Sequence, residues 1–211
     1  MNIFEFDLDN VLPEVFDNVK EDTKDFSSII NLNANLNREV YLYDIEEGTG
    51  ASIDAYIRFW NEQDKKNNIP KEEREPIKLI IDSGGGLLTD TFTIIDSIKA
   101  SETPVIGICI GIAYSGGFFS FIACHKRYAY PHASFLFHEG STSSGGTSTQ
   151  FANFASFYKK QLEQIKDIVI ENTNISEKEY AEIKKDDVWY NVKDGIEKGF
   201  IDKVISNIGE I

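Results

Sequence analysis

The segment Gly111-Ile112-Ala113-Tyr114-Ser115-Gly116-Gly117 places a serine between an apolar run and two glycines. A nucleophilic hydroxyl must stand clear of its own backbone, and neighbouring glycines permit a tight turn and close approach of a substrate. Ser115 is therefore our candidate nucleophile, although a serine in such a turn is by itself more often structural. Because Ala113 replaces the first glycine of G-x-S-x-G, the pattern disfavours an α/β-hydrolase elbow.

Three histidines could act as the general base. His138 follows the apolar, strand-like run Ser134 to Phe137, which places it at a sheet edge where a loop could hold it against Ser115. His125 and His132 have polar, charged or proline-adjacent neighbours, and we interpret both as structural or solvent-facing.

A second glycine segment, Gly84-Gly85-Gly86, ends another strand-like run at the edge where Ser115 should also emerge. Its backbone N–H groups could face a substrate carbonyl, although taken alone it predicts a plain strand-to-helix turn. A phosphate-binding loop is disfavoured because no Lys-Ser or Lys-Thr pair follows.

Strand-like and helical segments alternate along the chain, which predicts crossover connections and a largely parallel sheet. The fold class is therefore α/β, built from repeated β-α units. The first unit is Val40 to Ile45 and a helix with Ile53, Tyr56, Ile57 and Trp60; the second is Ile77 to Ile81 and a helix with Phe92, Ile95 and Ile98; the third is Val105 to Ile110, a turn from Gly111 to Gly117 and a helix from Phe118 to Ala123.

The second half of the chain predicts short strands, a loop and three helices. The longest helix, about 150–172, carries apolar residues at three- and four-residue steps from Phe151 to Val169. The remaining predicted elements are strands at Arg127 to Tyr130 and Ser134 to Phe137, a loop from Gly140 to Ser148, a helix opened by a capping box at Ser176, a short helix from Asn191 to Lys198 and a strand-like run from Phe200 to Ile205.

Composition limits which binding partners and which cellular compartment we expect. The 211 residues suit one domain, preceded by an acidic arm at 1–30 that resembles no secretory signal. The net charge of -14 would repel nucleic acid and anionic membranes alike. Two cysteines, Cys109 and Cys124, favour a reducing compartment, so we expect a cytoplasmic protein. The uncharged stretch Pro104 to Cys124 fits strand, turn and buried helix better than a membrane span.

Three segments in this order, Asp82 to Gly86, Gly111 to Gly117 and Phe135 to His138, resemble the Clp protease proteolytic subunit family. The resemblance runs from about Arg38 to Ile205 and includes the closing Gly199-Phe200-Ile201-Asp202. It implies a fold similar to the Clp protease and crotonase families, with a domain at 31–211 and a protruding handle formed by the long helix.

The same resemblance assigns roles to individual residues. Ser115 would be the nucleophile, His138 the base, and Asp187 the third member of a catalytic triad, with Asp186 taking its place if the alignment slips by one residue. The resemblance also implies an oxyanion hole at the N–H groups of Gly86 and Gly116. It places substrate contacts at Gly85, Leu87 and Gly140.

The implied activity is cleavage of unfolded polypeptide inside a ring-shaped homo-oligomer, with two stacked heptamers as one possible form and an AAA+ unfoldase as a partner. No metal or other cofactor is expected. Alternatives remain open: a phage-type or ATPase-independent processing protease, an inactive ring subunit, or a crotonase-like acyl-CoA enzyme. Glycine replaces the family's usual proline at Gly84 and at Gly140, and these changes motivate the inactive alternative.

Overall fold

The computed structural model describes residues 36–210, so the predicted acidic arm at 1–30 lies outside the described residues. A seven-stranded sheet forms the centre of Glu39–Ile211, which is one compact unit. The strands are β1 (Glu39–Leu42), β2 (Ile77–Ser83), β3 (Val105–Tyr114), β4 (Lys126–Ala129), β5 (Ser134–Phe137), β6 (Val188–Asn191) and β7 (Lys203–Val204).

Parallel pairing joins β1, β2, β3, β4 and β7 in that order, as the alternation of strands and helices predicts. Strand β3 also pairs in parallel with β5, and β5 pairs antiparallel with β6. Strand β3 is ten residues long, and on one edge its first half pairs with β4 while its second half pairs with β5. This branch carries β5 and β6 to the end of β3 where Ser115 follows.

The sequence interpretation of Gly111 to Gly117 as a turn was wrong for its first four residues. Strand β3 continues to Tyr114, because Ile112 to Tyr114 pair with Ser134 to Leu136 of β5. The glycines of this segment disfavour a strand by local propensity, but pairing with β5 stabilises one. The turn itself is confined to Ser115, after which a helix begins at once.

Six α-helices occur among the described residues, and their apolar sides pack with one face of the sheet around buried residues such as Ile81, Phe118 and Phe135. A smaller cluster around Ile80 and Ile108 covers the other face. The helices are α1 (Thr49–Lys66), α2 (Leu88–Ala100), α3 (Gly116–Ile122), α4 (Ser148–Asn172), α5 (Glu177–Ile183) and α6 (Val192–Glu197), with 3₁₀ turns at Lys71–Glu73 and Ile208–Glu210.

Helix α4 is the long helix predicted from the apolar spacing, and it starts at a capping box between Thr147 and Gln150. Its buried residues, Ile165, Ile168 and Val169, all lie in the C-terminal half. In the N-terminal half, the aromatic side chains of Phe151 and Phe157 are more than half exposed. The apolar stripe thus meets the core along only part of its length.

The capping box predicted at Ser176 is half formed. Ser176 Oγ accepts the Glu179 N–H, but the Glu179 carboxylate pairs with Lys198 at 2.6 Å instead of returning to the helix start.

The uncharged stretch Pro104 to Cys124 folds as β3 and α3, as the sequence predicts. Within residues 36–210 we find no helix of the length and apolar character needed to cross a membrane.

Candidate active site

Ser115 occupies a strained turn between β3 and α3. Its backbone has φ 52° and ψ −121°, a conformation that side-chain-bearing residues adopt rarely and at a cost of roughly 1–3 kcal/mol. The Ser115 N–H donates to the carbonyl of Leu136 at 2.9 Å, which ties the turn to β5. The strand ends at Tyr114 and the helix begins at Gly116, so Ser115 alone forms the apex of the turn.

Gly85 makes this turn possible from the neighbouring strand end. It has φ +92°, and a Cβ added there would lie 2.8 Å from Ser115 Cβ and 2.9 Å from Gly116 N. Backbone therefore passes directly against backbone at the candidate nucleophile. A side chain at Gly85 would displace the Ser115 turn.

The N–H groups of Gly86 and Gly116 lie near each other beside Ser115. Gly116 is the first residue of α3, where the N–H has no intrahelical carbonyl to meet. Next to Gly86, the chain bonds to Ile45 through the Gly85 carbonyl and the Leu87 N–H. A Cβ built on Gly116 would lie 3.6 Å from Gly86 N, and both residues line the same cleft.

His138 and Asp187 meet because of the register between β5 and β6. The last pair of this antiparallel ladder joins Phe137 to Val188, so the next residue outward on each strand is His138 or Asp187. His138 Nδ1 lies 3.6 Å from Asp187 Oδ1, just beyond hydrogen-bond length. No ion pair with His138 is found for the neighbouring Asp186 among the described residues.

A cleft of about 500 Å³ contains Ser115 and His138 together with Gly86 and Gly116. Of the predicted substrate contacts, Leu87 and Gly140 also line it, and Leu87 is 47% exposed. Gly85 is not among the lining residues, since it packs against the backbone of the Ser115 turn instead. Across the described residues, no hydrogen bond joins the Ser115 hydroxyl to His138.

The other candidates named from the sequence lie elsewhere. His125 accepts the Val105 N–H at Nδ1 over 3.0 Å, which is a structural role, and His132 is exposed. Burial raises the pKa of the Cys109 and Cys124 thiols to about 12. Between residues 36 and 210, no group of three or more His, Cys, Asp or Glu could hold a metal ion.

Several residues that line the cleft were not among the site residues predicted from the sequence. The apolar part of the wall comes from Phe119 of α3 and from Phe154 and Ile165 of α4. The Tyr158 hydroxyl also lines the cleft and donates to the Glu139 carbonyl at 3.2 Å. Their spacing marked these residues as helical core positions, and only the packing of α4 beside the Ser115 turn brings them to the cleft.

Comparison with known proteins identifies a family model and several relatives that match this chain. The family model described as Clp protease matches residues 68–208. The ATP-dependent Clp protease proteolytic subunit 2 of Treponema denticola is 30% identical over 139 residues, which cover 65% of this chain and 70% of that protein. The protein of the same name from Cutibacterium acnes is 28% identical over 178 residues, covering 83% of this chain and 80% of the relative.

Proposed function

The chain belongs to the Clp protease family, and from this premise we propose that it is a serine endopeptidase using Ser115, His138 and Asp187 as its catalytic triad. The observation that carries the proposal is that two separate chain segments meet at one cleft while a third brings a carboxylate to the histidine that lines it. The Ser115 turn and His138 both line the cleft, and Asp187 Oδ1 lies 3.6 Å from His138 Nδ1.

In the proposed reaction, His138 takes the Ser115 proton at Nε2 while the serine oxygen attacks the peptide carbonyl. Asp187, facing Nδ1, orients the ring and stabilises its charged form. His138 then returns the proton to the leaving amine, and water hydrolyses the acyl-enzyme. The Ser115–His138 hydrogen bond must form on substrate binding, since catalytic hydrogen bonds are often long before it.

The oxyanion that develops on the substrate carbonyl would be held by the N–H groups of Gly86 and Gly116. Both flank Ser115, and neither carries a side chain that would block the approach of a peptide. One such donor contributes on the order of 3 kcal/mol to transition-state stabilisation in other hydrolases. Leu87 and Gly140, which both line the cleft, would contact the substrate chain.

The assembly and the substrate are further parts of the proposal. The relatives' names describe a proteolytic subunit of an ATP-dependent protease, which supports unfolded polypeptide as the substrate and an ATPase as a partner. Phe151 and Phe157, exposed on the N-terminal half of α4, offer apolar surface that a ring of identical subunits would bury. Helix α4 would then act as the handle.

The test is labelling with a fluorophosphonate probe, which reacts with activated serines. We expect the wild-type protein to be labelled and the variants Ser115→Ala and His138→Ala to remain unlabelled. Asp187→Asn should lower the labelling rate by about 10²-fold or more, because the ring loses its orienting carboxylate. The neighbouring Asp186→Asn is the matched control and should label like wild type.

An unlabelled wild-type protein would overturn the proposed chemistry and favour an inactive or crotonase-like protein. Equal losses in Asp186→Asn and Asp187→Asn would overturn the assignment of the third member. Light scattering coupled to size-exclusion chromatography tests the ring separately, since a monomer or dimer at working concentration contradicts it.

A further inference from the structure

Two tyrosine hydroxyls hold Glu139, the residue that follows His138. Tyr158 of α4 donates to the Glu139 backbone carbonyl, and Tyr180 of α5 donates to Glu139 Oε1, each over 3.2 Å. We call Glu139, Tyr158 and Tyr180 the tyrosine clamp. Its location matters because strand pairing of β5 ends at Phe137, one residue before the candidate base.

Tyr180 touches the chain on both sides of His138. Its ring packs edge-on against Phe137, with ring centroids 5.5 Å apart, while its hydroxyl reaches the Glu139 carboxylate. The side chain is 2% exposed, so this contact is fixed by packing and not by a mobile surface residue. Burial raises the pKa of Tyr180 above its ordinary value, and the nearby Glu139 raises it further. The hydroxyl therefore stays protonated and remains a donor.

The clamp also connects His138 to the segment that carries Asp187. Helix α5, which contains Tyr180, leads through a short turn into Asp187 and β6. A bond from Tyr180 to Glu139 thus restrains the spacing of two segments whose side chains must approach within hydrogen-bond length. The 3.6 Å gap between His138 Nδ1 and Asp187 Oδ1 is short enough that a small displacement would decide whether the bond forms.

We propose that Tyr180 and Tyr158 are positioning residues that act through Glu139 to hold His138 against Asp187. The proposal deepens the proposed peptidase function and rests on it for its kinetic consequence. Tyr180 is absent from the cleft lining, so it acts on the cleft only through Glu139, which lines it next to His138.

The main test replaces Tyr180 by phenylalanine, which keeps the ring packed on Phe137 and removes only the donor. We expect kcat for a peptide substrate to fall about tenfold with KM unchanged, because the lost bond to a carboxylate misplaces the base without touching the substrate. Glu139→Gln retains an acceptor oxygen for Tyr180 and should keep most of the activity, whereas Glu139→Ala should lose as much as Tyr180→Phe. In the Glu139→Ala background, Tyr180→Phe should have no further effect.

Tyr190→Phe is the matched control. Tyr190 is another buried tyrosine, 7% exposed, and among the described residues its hydroxyl has no hydrogen-bond partner. Removing that hydroxyl should leave kcat unchanged. A loss in Tyr180→Phe no larger than in Tyr190→Phe would overturn the proposal, as would equal losses in Glu139→Gln and Glu139→Ala.

The ¹⁵N shifts of the His138 ring provide a readout that needs no turnover, with signals assigned by comparison with His138→Gln. In wild type we expect the tautomer with the proton on Nδ1, which faces Asp187, and a mixture of tautomers in Tyr180→Phe. Identical ring shifts in the two proteins would overturn the clamp. A wild type that shows the clamped tautomer but no fluorophosphonate labelling would refute the peptidase proposal and support the clamp.

Discussion

Gly85→Ala would place a methyl group directly against the Ser115 turn. A methyl group there would lie 2.7 Å from the Tyr114 carbonyl oxygen, 2.8 Å from Ser115 Cβ and 2.9 Å from Gly116 N. Two of these three atoms are backbone and cannot rotate away. The residue would also have to keep φ +92°, which L-amino acids with side chains disfavour.

The expected loss of stability combines three contributions. The left-handed backbone costs roughly 1–2 kcal/mol and overpacking typically adds ~1–3 kcal/mol, while the stiffer unfolded chain returns ~0.4–1 kcal/mol. We therefore expect the free energy of unfolding to fall by about 1–5 kcal/mol. If the Ser115 turn moves to relieve the clash, the rate of fluorophosphonate labelling should fall as well.

Gly84→Ala is the matched control on the adjacent residue. Its added Cβ would meet nothing closer than Asp44 Oδ1 at 3.5 Å, an ordinary contact, and its φ lies outside the left-handed region. Urea unfolding and labelling rates of both variants should be compared at one protein concentration, because assembly would stabilise the folded state. Equal unfolding free energies and equal labelling rates for Gly84→Ala and Gly85→Ala would refute the reasoning.

Three further predictions follow from backbone strain and burial. Ser115→Gly should raise the unfolding free energy by about 1 kcal/mol relative to Ser115→Ala in urea titrations, because glycine relieves the strained φ; a less stable glycine variant would contradict the strain. Burial, with Glu179 and Asp194 nearby, raises the pKa of Tyr190 to about 12. Its neutral form therefore stabilises the fold below about pH 10, the ordinary tyrosine pKa, and this contribution disappears as the pH rises towards 12. Urea titrations at high pH should show wild type losing more stability than Tyr190→Phe, and parallel losses would contradict this. Cys109 and Cys124 should not react with Ellman's reagent at about pH 8 until the protein unfolds, since their pKa values are raised and both are buried; rapid reaction of the folded protein would contradict the burial.

Local sequence carried most of the information about the elements. Alternating strand and helix patterns predicted the parallel sheet, and the spacing from Phe151 to Val169 predicted α4. The predictions failed where a partner distant in sequence sets the conformation. Strand β3 continues through a glycine-containing segment because β5 pairs with it. The final strand covers only Lys203–Val204, which is shorter than the predicted run from Phe200 to Ile205.

Residue type and local setting marked Ser115 and His138 as candidates, because these are local properties of the chain, whereas Asp187 was implied by the resemblance to the Clp protease family. The sequence left Asp186 and Asp187 unresolved, since neighbouring carboxylates look alike in a one-dimensional pattern. Only the antiparallel register of β5 and β6 sets Asp187 opposite His138. Pairing between strands about 50 residues apart depends on long-range packing, which also decides that Tyr180 reaches Glu139.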